Sequence, residues 1–225
     1  MKDLTLYSPV NAIPGIGKTR AEAFARLGVF CVRDLLYHFP RAYENRGDIR
    51  AVSAATDGLV HALSLVVATE PKTARLHRGM TVTKFRAFDE SGTVEIVFFN
   101  QTYAQHIFAV GEEFRFYGKL TAGKRLYTMT NPAYEPIRPD LPLADFVPRY
   151  PLSEGLSGKI IASAIESALP ALSELEDFLP EHIRLKNGFP TLSTAIKTLH
   201  SPATQALLRP AIDRMAFDEY LLFSL

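Results

Sequence analysis

The chain has 225 residues, 47% of them hydrophobic and 22% charged, and a formal net charge of +1. This ordinary composition excludes a strongly basic protein that holds nucleic acid by bulk charge alone. No apolar run approaches the roughly 18 residues of a transmembrane helix, so no membrane partner is expected. The opening Met1-Lys2-Asp3-Leu4-Thr5 is too polar for a secretory signal. The single Cys31 excludes an internal disulfide and fits a reducing cytoplasm, the expected location.

Residues 1–58 read as short helices. Ala21, Phe24, Ala25 and Leu27 recur at helical spacing after Lys18, and Gly28 stands where a C-terminal cap belongs. Val32–Phe39 reads as a further helix, stopped by Pro40. Ahead of them, Ile13-Pro14-Gly15-Ile16-Gly17-Lys18-Thr19-Arg20 imitates the end of a Walker A loop. That motif needs a glycine where Ala12 stands and a preceding buried strand, which Pro9–Pro14 does not offer. A helix-hairpin-helix is the better reading: Gly15 and Gly17 allow a tight hairpin whose free amides, helped by Lys18 and Arg20, suit a phosphate oxygen. A plain packing corner fits the same residues.

Residues 59–136 switch to period two. Strands are expected over Leu59–Thr69, Thr81–Asp89, Thr93–Phe99, Glu113–Leu120 and Lys124–Met129, with a short helix over Tyr103–Val110. Five strands with a helix between the third and fourth follow the order of an OB-fold barrel. The fold class is therefore α+β, a five-stranded OB-fold β-barrel flanked by helical segments at both ends. Alternation sends Phe98 and Phe99 to opposite faces, and Tyr103 lies one turn beyond Phe99. Phe99 and Tyr103 then form either a base-stacking platform or part of the core. Lys84 and Arg86 on one strand, Arg115, Tyr117 and Lys119 on another, and Lys124, Arg125 and Tyr127 after them interleave basic and aromatic residues on the outward face. That face suits a single-strand groove, or is simply solvated.

Residues 137–156 are a proline-rich connector, and residues 157–225 return to helical period with Ile160, Ile161, Ala164, Ile165 and Leu169 on one face. The acidic excess lies in the tail: residues 137–225 carry 8 basic and 11 acidic side chains, against 9 and 7 over 59–136. A polyanion is therefore expected on the earlier segments. The stretch Phe217–Leu225 is amphipathic without cap or breaker, which implies a longer natural protein, an exposed apolar tail, and tolerance of trimming near Pro210. The six histidines are scattered, so no zinc site is expected, and no catalytic motif is visible.

Three segments resemble the RecG helicase family. They are Pro9-Val10 through Ile13-Pro14-Gly15-Ile16-Gly17 to Tyr37-His38-Phe39-Pro40-Arg41; Phe98-Phe99-Asn100-Gln101 with Tyr103, Gly118-Lys119 and Asn131-Pro132; and Tyr150-Pro151-Leu152 with Arg214-Met215-Ala216-Phe217-Asp218-Glu219. The resemblance implies a wedge domain that docks on a replication fork or Holliday junction in DNA repair and recombination. Phe99 and Tyr103 would stack on opened bases, and Lys84, Arg86 and Lys119 would guide phosphates. Gly15, Gly17 and Lys18 would be a further DNA contact. Branched DNA and the helicase motor lobes of the same polypeptide are the implied partners. ATP and Mg are expected only with those lobes, and no cofactor is expected in this chain. The alternative from another class is an OB-fold protein-interaction scaffold without DNA contact; a third reading is a small-ligand phosphate binder using Gly15 and Gly17.

Overall fold

A computed structural model describes residues 4–76, 79–123, 125–138 and 144–224. The elements run α1 (Lys18–Ala25), α2 (Val32–Leu36), β1 (Ala42–Asn45), β2 (Val60–Val67), β3 (Lys72–Arg75), β4 (Thr81–Asp89), β5 (Gly92–Phe99), β6 (Glu113–Ala122), β7 (Tyr127–Thr130), β8 (Ala133–Pro136), β9 (Phe146–Arg149), α3 (Gly158–Ala168), α4 (Glu181–Lys186), α5 (Leu192–His200) and α6 (Gln205–Ser224). They form two compact units, one of Asn45–Asp145 and one of the chain on either side.

The first unit is the five-stranded barrel expected from the sequence. The strand order is β2-β4-β5-β7-β6, and β6 pairs back with β2 to close it. The β5–β7 pairing is parallel and the others are antiparallel. Alternation fills the interior: Phe85 and Ala87 from β4, Val94, Ile96 and Phe98 from β5, Phe114, Phe116 and Leu120 from β6. Phe108 plugs the centre, its ring centroid 4.7 Å from Phe85, 5.5 Å from Phe98 and 4.8 Å from Phe114.

That plug explains one departure from expectation. Instead of a helix over Tyr103–Val110 there is a 3-10 turn over Thr102–His106; the chain then leaves the helical path and puts Phe108 into the core. A second departure is β3, an added strand that pairs only with the first half of β4. A third is that β8 follows the fifth expected strand, and that the proline-rich connector contributes β9. Pro136 is tolerated because β8 is an edge strand, where a missing N–H breaks no ladder.

In the other unit the two helical ends of the chain share one core. Ile13, Phe24, Val32, Leu35 and Leu36 pack with Ile161, Ile165, Leu172 and Ile196. Helix α1 closes in a Schellman motif: the Gly28 N–H donates to Ala25 O, the Val29 N–H donates to Phe24 O, and Gly28 takes the left-handed φ of 76° that favours glycine. The C-terminal helix packs Leu208 and Ala211 with Ala195 and Leu199 of α5 in a smaller cluster, and its Arg214 is fully buried. Arg214 donates to Asp177 at 2.7 Å, to Asp218 at 2.9 Å and to the Pro190 carbonyl at 3.1 Å. The expectation of an apolar tail holds only at its far end: Tyr220, Leu222 and Phe223 are exposed, whereas Met215 packs against the core.

Candidate nucleic-acid interface

The end of β5 divides two consecutive rings. Phe98 is 1% exposed, in the barrel core. Phe99, directly opposite Val82 in the β4–β5 register, lies on the outer wall and is half-buried. Residues opposed in an antiparallel pair share a face, so Phe99 leans over Val82, which is buried although it points outward.

Two asparagines turn the chain away after this ring. Asn100 has φ 55° and Asn131 φ 45°, left-handed values that asparagine tolerates better than most residues. The Asn100 N–H donates to Thr81 O at 2.9 Å, and its side-chain oxygen accepts from Thr81 N at 3.1 Å. The Asn131 side-chain oxygen accepts from Phe99 N at 2.8 Å and from Gln101 Nε2 at 3.4 Å. Gln101 in turn accepts the Tyr103 hydroxyl at 2.5 Å. Tyr103 is thus presented at 53% exposure from the turn that follows the strand. Burial, and then the neighbouring Tyr103, push the Tyr134 hydroxyl up. The sequence shows Asn100 and Asn131 only as parts of the family pattern, with no role; an asparagine directly after a strand was the available signal for their turns.

Lys84 and Arg86 are exposed on the same wall. Lys84 faces Glu95 at 3.7 Å. Lys84 stands opposite Val97, and Val97 opposite Thr130 of β7. Leu120 pairs with Met129, so one residue along Lys119 comes beside Thr130. Lys119 is exposed on the outer face of β6.

Arg115 points to the outer face but, against expectation, is covered there rather than exposed. It is 2% exposed, donates to Glu135 at 2.5 Å and to the carbonyls of Arg46 and Ala144 at 3.1 and 2.6 Å, and is a structural clamp. Its neighbour Tyr117 carries the Arg46 guanidinium 5.3 Å from its ring centroid. Lys124 lies outside the described residues.

Gly15, Gly17 and Lys18 lie in the helical unit. Ile13 and Ile16 are buried and anchor the hairpin, leaving Gly15, Gly17, Lys18 and Arg20 on the surface. Gly15 has φ 82°, and its carbonyl accepts from Arg20 at 2.6 Å. Gly17 caps α1 without a side chain, so the first amides of the helix have no side-chain acceptor. The element ahead of the hairpin is a single 3-10 turn, Val10–Ala12. Among the described residues no three His, Cys, Asp or Glu side chains gather as a metal site. No helix there is long and apolar enough to cross a membrane.

A closed five-stranded barrel with an added strand and helices at both ends of the chain defines an OB-fold domain. The chain belongs to the RecG wedge domain family, whose model matches residues 9–172. It is 28% identical to the ATP-dependent DNA helicase RecG of Streptococcus pneumoniae serotype 4, over 99% of this chain and 32% of that protein. It is 27% identical to the ATP-dependent DNA helicase RecG of Escherichia coli K12, over 96% of this chain and 32% of that protein. The chain therefore spans about a third of the length of these relatives. Among solved structures, RecG bound to a three-way DNA junction superposes with a TM-score of 0.86 at 25% identity, covering 97% of this chain and 30% of that one.

Proposed function

We propose that this chain is the branched-DNA-binding wedge of a RecG-like helicase that acts in DNA repair and recombination in the cytoplasm. The observation that carries the reading is the split of Phe98 into the core and Phe99 onto the outer wall, with Tyr103 exposed four residues on. Aromatic faces at a strand end bind unpaired bases regardless of sequence. The barrel separates the arms passively, Phe99 and Tyr103 hold opened bases, and Lys84, Arg86 and Lys119 steer phosphates. The motor lobes of the same polypeptide are the partner that pulls DNA past this wedge, and ATP and Mg act there. The superposition on a RecG structure that holds a three-way junction supports the choice of substrate.

Fluorescence anisotropy with a three-way fork, a linear duplex and a single strand tests this. The fork should bind most tightly, with an affinity that falls as salt rises. Equal, salt-insensitive affinities would instead favour the protein-interaction scaffold. The purified chain should hydrolyse no ATP with or without fork DNA; DNA-stimulated turnover that survives repurification would overturn this assignment of roles.

A further inference from the structure

Phe99 and Tyr103 are held in different ways. Phe99 ends a strand and stands opposite Val82. Tyr103 belongs to the 3-10 turn Thr102–His106. Its backbone is anchored, because the adjacent Ala104 is fully buried in the barrel core and the Ala104 N–H donates to the Gln101 carbonyl at 3.1 Å. Its ring is exposed, so packing leaves the side-chain torsions loose. What fixes them is the hydrogen bond from the Tyr103 hydroxyl to Gln101 Oε1 at 2.5 Å.

The direction of that bond follows from a chain of bonds that begins at Phe99. The Phe99 N–H can only donate, and Asn131 Oδ1 accepts it at 2.8 Å. An amide oxygen accepts and an amide nitrogen donates, so Asn131 offers Gln101 an acceptor. Gln101 answers with Nε2, at 3.4 Å. Its Oε1 is thereby turned to Tyr103, whose hydroxyl has to donate. The flipped amide would set oxygen against oxygen at Asn131. Two side-chain amides thus join the backbone of Phe99 to the hydroxyl of Tyr103, and the Tyr103 proton is committed inside the protein.

We propose that Gln101 is a positioning residue for base stacking: it holds the Tyr103 ring in its stacking orientation before DNA arrives, and the Tyr103 hydroxyl serves Gln101 rather than DNA. The inference rests on the proposed wedge function and adds the residue that preorganises Tyr103. A ring already held this way need not be ordered on binding, a difference of roughly 2- to 10-fold in affinity.

The test compares the native chain with Gln101→Met, Tyr103→Phe and the double variant. Met keeps the length of the glutamine and removes both hydrogen bonds; Phe keeps the stacking face and removes the hydroxyl. Affinity is measured on a complete fork and on one with abasic residues at the unpaired positions next to the branch point. Each single variant should bind the complete fork more weakly than the native chain by the factor given above. The double variant should bind no more weakly than the weaker single, because both changes break the same bond. On the abasic fork all four proteins should bind alike, since no base is left to stack. Should Gln101→Met lower the melting temperature, Tyr103→Phe, which alters only an exposed hydroxyl, decides alone. Native affinity in Tyr103→Phe, additive losses in the double variant, or a deficit that persists on the abasic fork overturns the positioning role and leaves the wedge reading intact. A native chain that binds both forks equally overturns the stacking reading, and this inference with it.

Discussion

Phe98 and Phe99 are adjacent in the chain and occupy opposite sides of one barrel wall. The Phe98 ring stacks 5.5 Å from Phe108 inside, while Phe99 lies over Val82 outside. Period-two geometry imposes this, and it separates stability from binding. Phe98→Ala should cost about 3–5 kcal/mol of stability. Phe99→Ala/Tyr103→Ala should keep the fold, with a modest loss from uncovering Val82, and weaken fork binding. Each stacked base contributes roughly 1–3 kcal/mol, so losing one stack means several-fold to about a hundredfold. Melting temperature and fork affinity on both proteins decide. A collapsed double variant beside a benign Phe98→Ala would reverse the assignment of faces.

Asn131 is a positioning residue. Its side-chain oxygen accepts from Phe99 N at 2.8 Å, and its φ of 45° disfavours a residue with an ordinary side chain. Asn131→Ala should lose about 1–3 kcal/mol from strain and the lost acceptor. Asn131→Gly should relieve the strain but still leave Phe99 N without its acceptor. Fork affinity in the glycine variant should therefore fall more than its melting temperature suggests. Equal affinity in the native and glycine proteins would show that Phe99 needs no such anchor.

Arg115 tests the difference between a buried clamp and a DNA contact. With Glu135, the Arg46 and Ala144 carbonyls and Asp145 at 3.6 Å around it, Arg115→Ala takes the donor from two carbonyls and from Glu135 Oε2, while Glu135 Oε1 keeps Arg46 at 2.8 Å. Each buried acceptor left unsatisfied costs about 1–3 kcal/mol. The denaturation midpoint should drop, whereas the salt dependence of fork binding, measured below that midpoint, should not change. A flattened slope with unchanged stability would return Arg115 to the basic wall.

The contrast between Lys84 and Arg115 shows how far the sequence could be read. Alternation assigns both to the outer face of the barrel, and both point there. Period two cannot tell what lies above a face, and residues 144–145, far along the chain, close over Arg115. The same limit hid β3. Lys72-Thr73-Ala74-Arg75 has no apolar alternation, and it becomes a strand because the first half of β4 offers a free edge. The outward placement of Phe99 and the exposure of Tyr103 were legible because a strand and the turn after it are local. The two helical ends show no sign in sequence of the core they share, since that contact spans most of the chain.

Acid should loosen the helical unit in two windows. His200 is buried between the Leu36 carbonyl at 2.8 Å and the Tyr150 hydroxyl at 3.0 Å. Burial, helped by the nearby His38, holds its pKa below the ordinary 6.5, against the pull of the Leu36 bond. The unfolded chain then binds more protons below about pH 6.5, so stability falls as pH drops through that value. The Arg214 guanidinium holds Asp177 at about 2. Its contribution is present above the unfolded carboxylate value and is lost as pH falls from about 4 towards 2. Melting temperature from pH 8 to 3 should show both losses, and His200→Gln should remove only the first. A His200→Gln profile parallel to the native one between pH 7 and 5 would contradict this.

The far end of α6 should govern self-association without governing the fold. Leu208, Ala211 and Arg214 tie the first half of the helix into the helical unit, and Asp218 closes the ion network, whereas Leu222 and Phe223 are exposed. Ending the chain near Pro210, which the amphipathic pattern alone suggests, would remove Ala211, Arg214 and Asp218. It would take the cation from the partly buried Asp177 carboxylate and the donor from the Pro190 carbonyl, and destabilise the helical unit. Leu222→Ser/Phe223→Ser touches neither. Exposed substitutions of this kind stay within about 0.5 kcal/mol, so the melting temperature should hold. Two large apolar side chains leave the surface, so light scattering at high concentration should show fewer oligomers. A lower melting temperature in the serine variant would place these residues in the protein's own core. Unchanged scattering would show that another surface drives association.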